Sequence, residues 1–93
     1  MRKDEVEIYS DASNYAVMRH PGRKFPGALI QGDTLHALCQ MADNAFEAAK
    51  GGNVSEALEE ISELREALNY RLAQYKQVLG EHSIPLPFND KPA

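Results

Sequence analysis

The apolar and polar positions in the first thirty residues predict short strands, beginning with a segment whose alternation is the repeat of a strand with one buried face. Residues 5–10, EVEIYS, show this alternation most clearly, and two further β-prone segments follow at residues 15–18 and 28–31. The stretch DASN at residues 11–14 is typical of a turn. Together these segments predict a small antiparallel sheet.

From Gly32 onward the apolar positions repeat at about 3.6 residues and predict two helices. The first is expected over residues 34–50, with Asp33 or Thr34 as its N-cap and Gly51-Gly52 as its end. Its apolar side chains share one face, which consists of Leu35, Leu38, Cys39, Ala42, Ala45, Phe46 and Ala49. We expect this face, including Cys39, to be buried.

The second helix is predicted over residues 54–79, between an asparagine capping box at residues 53–56 and a closing glycine, Gly80. A main apolar stripe, interrupted by Arg65, consists of Val54, Leu58, Ile61, Leu68, Leu72, Tyr75 and Leu79. Because a short Gly-Gly turn separates the helices, they should form an antiparallel hairpin.

The predicted fold class is therefore α+β, with a small antiparallel β-sheet, an antiparallel two-helix hairpin and an extended proline-containing tail. Residues 1–88 should form a single domain, with residues 89–93 frayed. In the tail, alternation with prolines leaves one apolar edge to pack on the domain, formed by Ile84, Leu86 and Phe88.

The second helix is apolar over more than its main stripe. Four further side chains widen that face beyond what one partner helix would cover: Ala57, Leu64, Ala67 and Val78. The sheet or a second copy of the chain could supply the cover, and the sequence does not choose between them. Of the two, we favour a homodimer.

The composition is that of a folded domain, with 43% hydrophobic and 26% charged residues among 93. No apolar run is long enough to cross a membrane, and the first residues lack the apolar segment of a signal peptide. We therefore expect a cytoplasmic protein without a membrane partner. The net charge of −4 argues against double-stranded DNA, whose binding depends on cations that displace counterions.

One stretch departs from the acidic character of the chain. RHPGRKFPG, residues 19–27, contains three cations, one histidine and two Pro-Gly pairs. Both pairs fit type II turns, at residues 20–23 and 25–28, since proline presets φ at the second position and glycine accepts a positive φ at the third. The predicted loop is therefore rigid.

A rigid loop would hold its polar side chains towards one anion with little further ordering. The candidates are Arg19, His20, Arg23 and Lys24. Phosphate or a nucleotide would suit the planar guanidinium groups, and the nearby helix start could add N–H donors. Alternatively, the loop is a protein interface, or a structural connection whose cations are solvated or paired with Glu5, Glu7 or Asp33.

Other candidates for chemistry are weaker. His36 and Cys39 lie three residues apart on one predicted helix, but no third group completes a metal site or a nucleophilic triad. We therefore expect no metal, no cofactor and no enzymatic activity. The second helix also has an acidic run that is either a solvated face or a surface for a basic partner: Glu56, Glu59, Glu60, Glu63 and Glu66.

The chain resembles a family of small bacterial proteins of unknown function. The resemblance rests on the pattern HPGR-x-FPG-x-x-x-QGD-x-L, which occupies residues 20–35, and extends to YKQVLGEHSIPLPF at residues 75–88. It implies a common fold and a bacterial or phage source, but no activity. It also adds Gln31, Gly32 and Asp33 to the candidate site.

Two functions are expected from these observations. The first is a small binding module for an anionic small molecule or nucleotide. In that module Arg19, Arg23 and Lys24 contact the anion, while His20, Gln31 and Asp33 shape the pocket. The alternative is a protein-interaction protein, such as an immunity or regulatory protein, that covers a basic partner with its acidic helical hairpin.

Overall fold

Three strands precede two helices in the computed structural model, which describes residues 1–12 and 15–90. The elements are β1 (Glu7–Ser10), β2 (Tyr15–Arg19), β3 (Gly27–Ile30), α1 (Gly32–Lys50) and α2 (Val54–Glu81). The predicted α+β class and helical hairpin are confirmed. No helix in the described ranges is long and apolar enough to cross a membrane.

Two predictions extend beyond the described residues. The turn predicted at residues 11–14 includes Ser13 and Asn14, and the predicted frayed tail includes residues 91–93. The chain divides into two compact units. The first contains the sheet, the part of α2 from Ala73 onward and the tail, and the second spans Gln31–Leu72.

The sheet is antiparallel with β2 in the centre, flanked by β1 and β3. Its register pairs Ile8 with Met18 and Met18 with Gly27. Between Ile8 and Ser10 the register shifts, so that Tyr9 is an extra residue opposite β2. As the central strand, β2 supplies the most buried segment of the sheet.

The core of the first unit forms where β2 meets the end of α2. Val17 and Leu79 are almost fully inaccessible to solvent, and Tyr75 and Val78 complete the buried cluster. Partly buried hydrophobic residues pack against it, namely Tyr9, Ile84 and Leu86. The predicted packing of the tail is thus confirmed for Ile84 and Leu86, whereas Phe88 is exposed.

The helix α2 ends differently from the prediction. Gly80 lies inside the helix, which continues to Glu81, and the left-handed residue after it is Ser83, with φ of 57°. The N–H of Ile84 donates to the Leu79 carbonyl at 2.9 Å, and that of Ser83 to the Gly80 carbonyl at 3.2 Å. This is a Schellman motif, and the packing of Ile84 on the Leu79 cluster favours it over an earlier stop at glycine.

The start of α1 also corrects the prediction. Its N-cap is Gln31, whose side chain makes no capping bond, while Asp33 and Thr34 lie in the first turn. At the other end, Gly52 has the expected left-handed φ of 81°. The predicted asparagine cap of α2 is confirmed, because Asn53 Oδ1 accepts from the Glu56 N–H at 3.1 Å. The reciprocal bond differs from that of a capping box, because the Glu56 carboxylate accepts from the Asn53 side-chain amide, while the Asn53 backbone N–H donates to the Ala48 carbonyl.

The second unit buries only part of the predicted apolar face of α1, namely Leu38 and Ala45. Only Leu38, Ala45 and Ala48 of α1 are buried, and Cys39, expected to be buried, is exposed. On α2 the half-buried apolar residues are Ala57, Leu64 and Ala67. The small side chains of Ala57 and Ala67 allow a close approach of the two helices. The larger side chains of the predicted stripe are exposed: Val54, Leu58, Ile61, Leu68 and Leu72.

Candidate functional site

The loop between β2 and β3 begins with the predicted type II turn. The N–H of Arg23 donates to the His20 carbonyl at 3.0 Å, and Gly22 has φ of 83°. Pro21 precedes this glycine and presets its own φ, so the backbone that presents Arg23 is restricted at two successive residues. A Cβ at position 22 would meet no atom within 4 Å, so only the backbone conformation demands glycine there.

The second predicted type II turn, at residues 25–28, is wrong. Gly27 does not have a positive φ, and it is the first residue of β3. Pro26 is buried, and its carbonyl accepts a hydrogen bond from the Tyr75 hydroxyl at 2.6 Å. The pairing of β3 with β2 and the Tyr75 bond to Pro26 therefore hold residues 26–28 in an extended conformation, although the Pro-Gly pair alone favours a turn.

Arg19, where β2 ends and the loop begins, forms an ion pair. Its Nε donates to Glu7 Oε1 at 2.8 Å, Nη2 donates to the same oxygen, and Nη1 reaches the Lys24 carbonyl at 3.5 Å. The Tyr9 hydroxyl donates to the other carboxylate oxygen of Glu7 at 3.1 Å. Of the partners considered from the sequence, Glu7 is the one that the structure shows.

This ion pair shifts the ionisation of both partners. Hydrogen bonds, first from Arg19 and then from Tyr9, hold the pKa of Glu7 below its ordinary value. The same bond with Glu7 raises the pKa of Arg19. Both groups are therefore charged at neutral pH, and Arg19 fixes the edge of the sheet to the loop backbone.

The remaining polar groups of the loop are exposed. His20 Nδ1 donates to the Pro21 carbonyl at 2.8 Å. Lys24 Nζ lies 5.4 Å from the centre of the Phe25 ring, within the range of a cation–π contact. Arg23 has no carboxylate within ion-pair distance in residues 1–12 and 15–90. Its guanidinium is the group available to an external anion.

Arg23 and His20 are the polar side chains that line an open cleft of about 350 Å³ on the first unit. The rest of the lining is apolar side chains and backbone: Val6, Met18, Phe25, Gly27, Ala28 and Leu29. A cleft with a predominantly apolar lining and a few polar groups at one end is the usual form of a small-molecule site. This arrangement suits a ligand with an apolar body and an anionic end.

The other two candidate residues lie at the start of α1, in the second unit. Gln31 is exposed at the N-cap position, and Asp33 Oδ1 accepts a hydrogen bond from the N–H of Thr34 at 2.8 Å. Neither residue belongs to the lining of the cleft. Their contribution to the site stays a prediction.

The apolar part of the cleft was not predictable from the sequence patterns, which place Val6 and Leu29 on strands and Phe25 in a turn. The signal available in the sequence is Phe25, a large apolar residue in the loop between a lysine and a proline. Elsewhere, His36 and Cys39 are both exposed, and no three metal-ligating side chains converge among the described residues.

Comparison with known protein families gives one match that spans nearly the whole chain. The model of a family of unknown function (DUF6959) matches residues 1–88. No curated protein and no solved structure matches the chain. The match covers both units, including the loop, the cleft and the helical hairpin.

Proposed function

We propose that this chain, which belongs to the family of unknown function DUF6959, is a binding module for an anionic small molecule. The anionic group contacts Arg23 in the lining of the cleft, and the apolar or aromatic body lies against Phe25 and the sheet. A mononucleotide combines these two features, with its phosphate at the guanidinium and its base in the apolar part.

The observation that supports this proposal most directly is the state of Arg23. Its guanidinium has no carboxylate partner in the described residues, although the chain has a net charge of −4 and could readily supply one. The side chain stands beside an apolar cleft and follows a turn whose backbone is restricted by Pro21 and Gly22. Such preorganisation lowers the entropic cost of binding an anion.

Within this proposal the three cations have different roles. Arg19 is a positioning residue, because its Nε and Nη2 are already used by Glu7. Lys24 lies over Phe25 outside the cleft lining and adds long-range attraction. Arg23 makes the direct contact, and His20 Nε2 supplies a second polar group beside it.

The alternative function, in which the acidic hairpin covers a basic partner, has weaker support. Glu59, Glu63 and Glu66 border a shallow open depression with Ser55 and Ser62. However, glutamates on an exposed helix face are also what solvation alone favours. We therefore rank the cleft above the acidic surface.

Calorimetric titration tests the proposal with three probes: inorganic phosphate, a mononucleotide and a cyclic dinucleotide. At least one probe should bind saturably, and Arg23→Ala should weaken that binding about 10- to 100-fold because a charge-assisted hydrogen bond is lost. The melting temperature should change little, since an exposed side chain without an ion pair contributes little to folding.

Lys24→Ala is the matched control, because it removes the same charge from the neighbouring residue outside the cleft lining. It should retain binding within about threefold. The proposal fails if no probe binds saturably, or if both substitutions weaken binding equally. A third variant, Gly22→Ala, should lower stability and binding together, because it places a Cβ on a residue with positive φ.

A further inference from the structure

The helical hairpin exposes two rows of residues with coiled-coil spacing. On α2 the row steps alternately by four and three residues and consists of Val54, Leu58, Ile61, Arg65, Leu68 and Leu72. A row with the same steps on α1 consists of Leu35, Cys39, Ala42, Phe46 and Ala49, all exposed. Such spacing is what helices use to pack along a partner.

Both rows lie on the same side of the hairpin. Phe46 and Ala42 of α1 line one groove together with Leu58 and Ile61 of α2. The groove is open, measures about 470 Å³ and has an almost entirely apolar lining. The two rows therefore form one continuous apolar face of the second unit.

The second unit buries few large side chains of its own. Within Gln31–Leu72 the buried residues are Leu38, Ala45 and Ala48, two of which are alanines. Isolated helices of this length gain most of their stability from packing an apolar face. A second covering surface would supply the burial that the small residues between α1 and α2 do not.

The size of the uncovered face matches a protein interface. Phe46 is 64% exposed and Val54 66%, and five other large side chains on the face are between 39% and 58% exposed: Leu35, Leu58, Ile61, Leu68 and Leu72. Together they leave on the order of 600 Å² of apolar surface on one side, at the upper end of what monomers show. A standard interface buries about 800 Å² per partner, which this face and its polar border would supply.

The apolar face and its border contain both positive and negative charges that have no ion-pair partner among the described residues. Arg65 is the single cation within the apolar rows, and it has no carboxylate within ion-pair distance in the described part of the chain. The border beside Leu58 contains Glu59 and Glu66, which likewise have no ion-pair partner there. A two-fold interface uses the same patch on both copies, so this face offers both an unpaired arginine and unpaired glutamates to its partner.

We propose that two copies of this chain associate through this face to form a four-helix bundle. The rows that begin at Leu35 and Val54 then become core positions, as in other bundles of paired hairpins. A polar residue at one core position, here Arg65, selects a register at some cost in stability. The occupant is a second copy because its face has the same length, the same spacing and the complementary charge.

Sedimentation equilibrium across a range of about 1 to 200 µM tests this proposal, since the dimer population follows mass action. The unmodified chain should sediment at twice its mass of 10.3 kDa. Ile61→Glu should give the monomer mass over the whole range, because it places a charge inside the apolar face. A monomer of the unmodified chain at every concentration would overturn the proposal and leave the face to a different protein.

Two further variants make the result specific. Asn44→Glu adds the same charge to an exposed position of α1 on the opposite side, and it should leave the dimer intact. If Ile61→Glu lacks the helical circular dichroism signal, Ile61→Ala replaces it, because alanine favours the helix. Ile61→Ala should weaken dimerisation at least tenfold with unchanged helix content, and an unchanged dissociation constant would contradict the proposal.

Discussion

At the residue scale, Tyr75 joins the end of α2 to the base of the loop. Its ring belongs to the buried cluster of the first unit, and its hydroxyl donates to the Pro26 carbonyl at 2.6 Å. Burial raises the pKa of this phenol above its ordinary value of 10.0. The neutral hydroxyl is therefore part of the folded state, and it holds the loop opposite the end fixed by Arg19.

Tyr75→Phe should lower the free energy of unfolding by about 1–2 kcal/mol, because a buried carbonyl loses its donor while the ring packing is kept. Urea denaturation at neutral pH measures this loss.

The unfolded tyrosine ionises at lower pH than the folded one, so its stabilising contribution is present below pH 10.0 and is lost as pH rises through the folded pKa. The difference between the two proteins should therefore shrink above pH 10.0. A constant difference up to pH 11 would contradict the assignment of this pKa to Tyr75.

At the scale of elements, the helix ends show which signals are local. The left-handed Gly52 and the Asn53–Glu56 cap depend on neighbours within one turn, and both were predictable. The end of α2 was not, because the contact of Ile84 with the Leu79 cluster decides where the helix stops. The helix continues through Gly80, and Ser83 adopts the left-handed conformation instead.

Ser83→Gly should therefore stabilise the protein by about 1 kcal/mol, because a non-glycine residue with φ of 57° has an unfavourable backbone conformation. Thermal denaturation should show a rise of several degrees for a domain of this size. Ser83→Ala is the control, since it removes the hydroxyl but keeps the Cβ, and it should give no gain. Equal melting temperatures for the two variants would rule out relief of the backbone as the cause.

At the scale of the whole molecule, local pattern predicted the elements but not which helix row is covered. Both helices have two adjacent apolar rows, and periodicity alone cannot rank them. The small residues, including Ala45 and Ala57, pack within the hairpin, and the larger Phe46 and Leu58 face outward. That choice depends on side-chain size at the helix contact and on what covers the outer face.

The candidate site was also predictable only in part, because its local turn follows from the sequence and its long-range contacts do not. The turn that presents Arg23 follows from Pro21 and Gly22 alone. Glu7 is one of three carboxylates that could pair with Arg19 on the basis of the sequence. The register of β1 and β2 is needed to identify it. The Tyr75 to Pro26 bond joins residues 49 apart and has no local signal.

Amide chemical shifts measured during a titration with a mononucleotide test whether the cleft beside Arg23 binds an anionic small molecule. Saturable shifts should be concentrated in residues 18–29, with residues 34–72 unaffected. Because the dimer face lies within the hairpin, this result also separates ligand binding from self-association. Shifts confined to the hairpin, or no saturable shift at about millimolar concentration, would show that the cleft is not a binding site for this ligand.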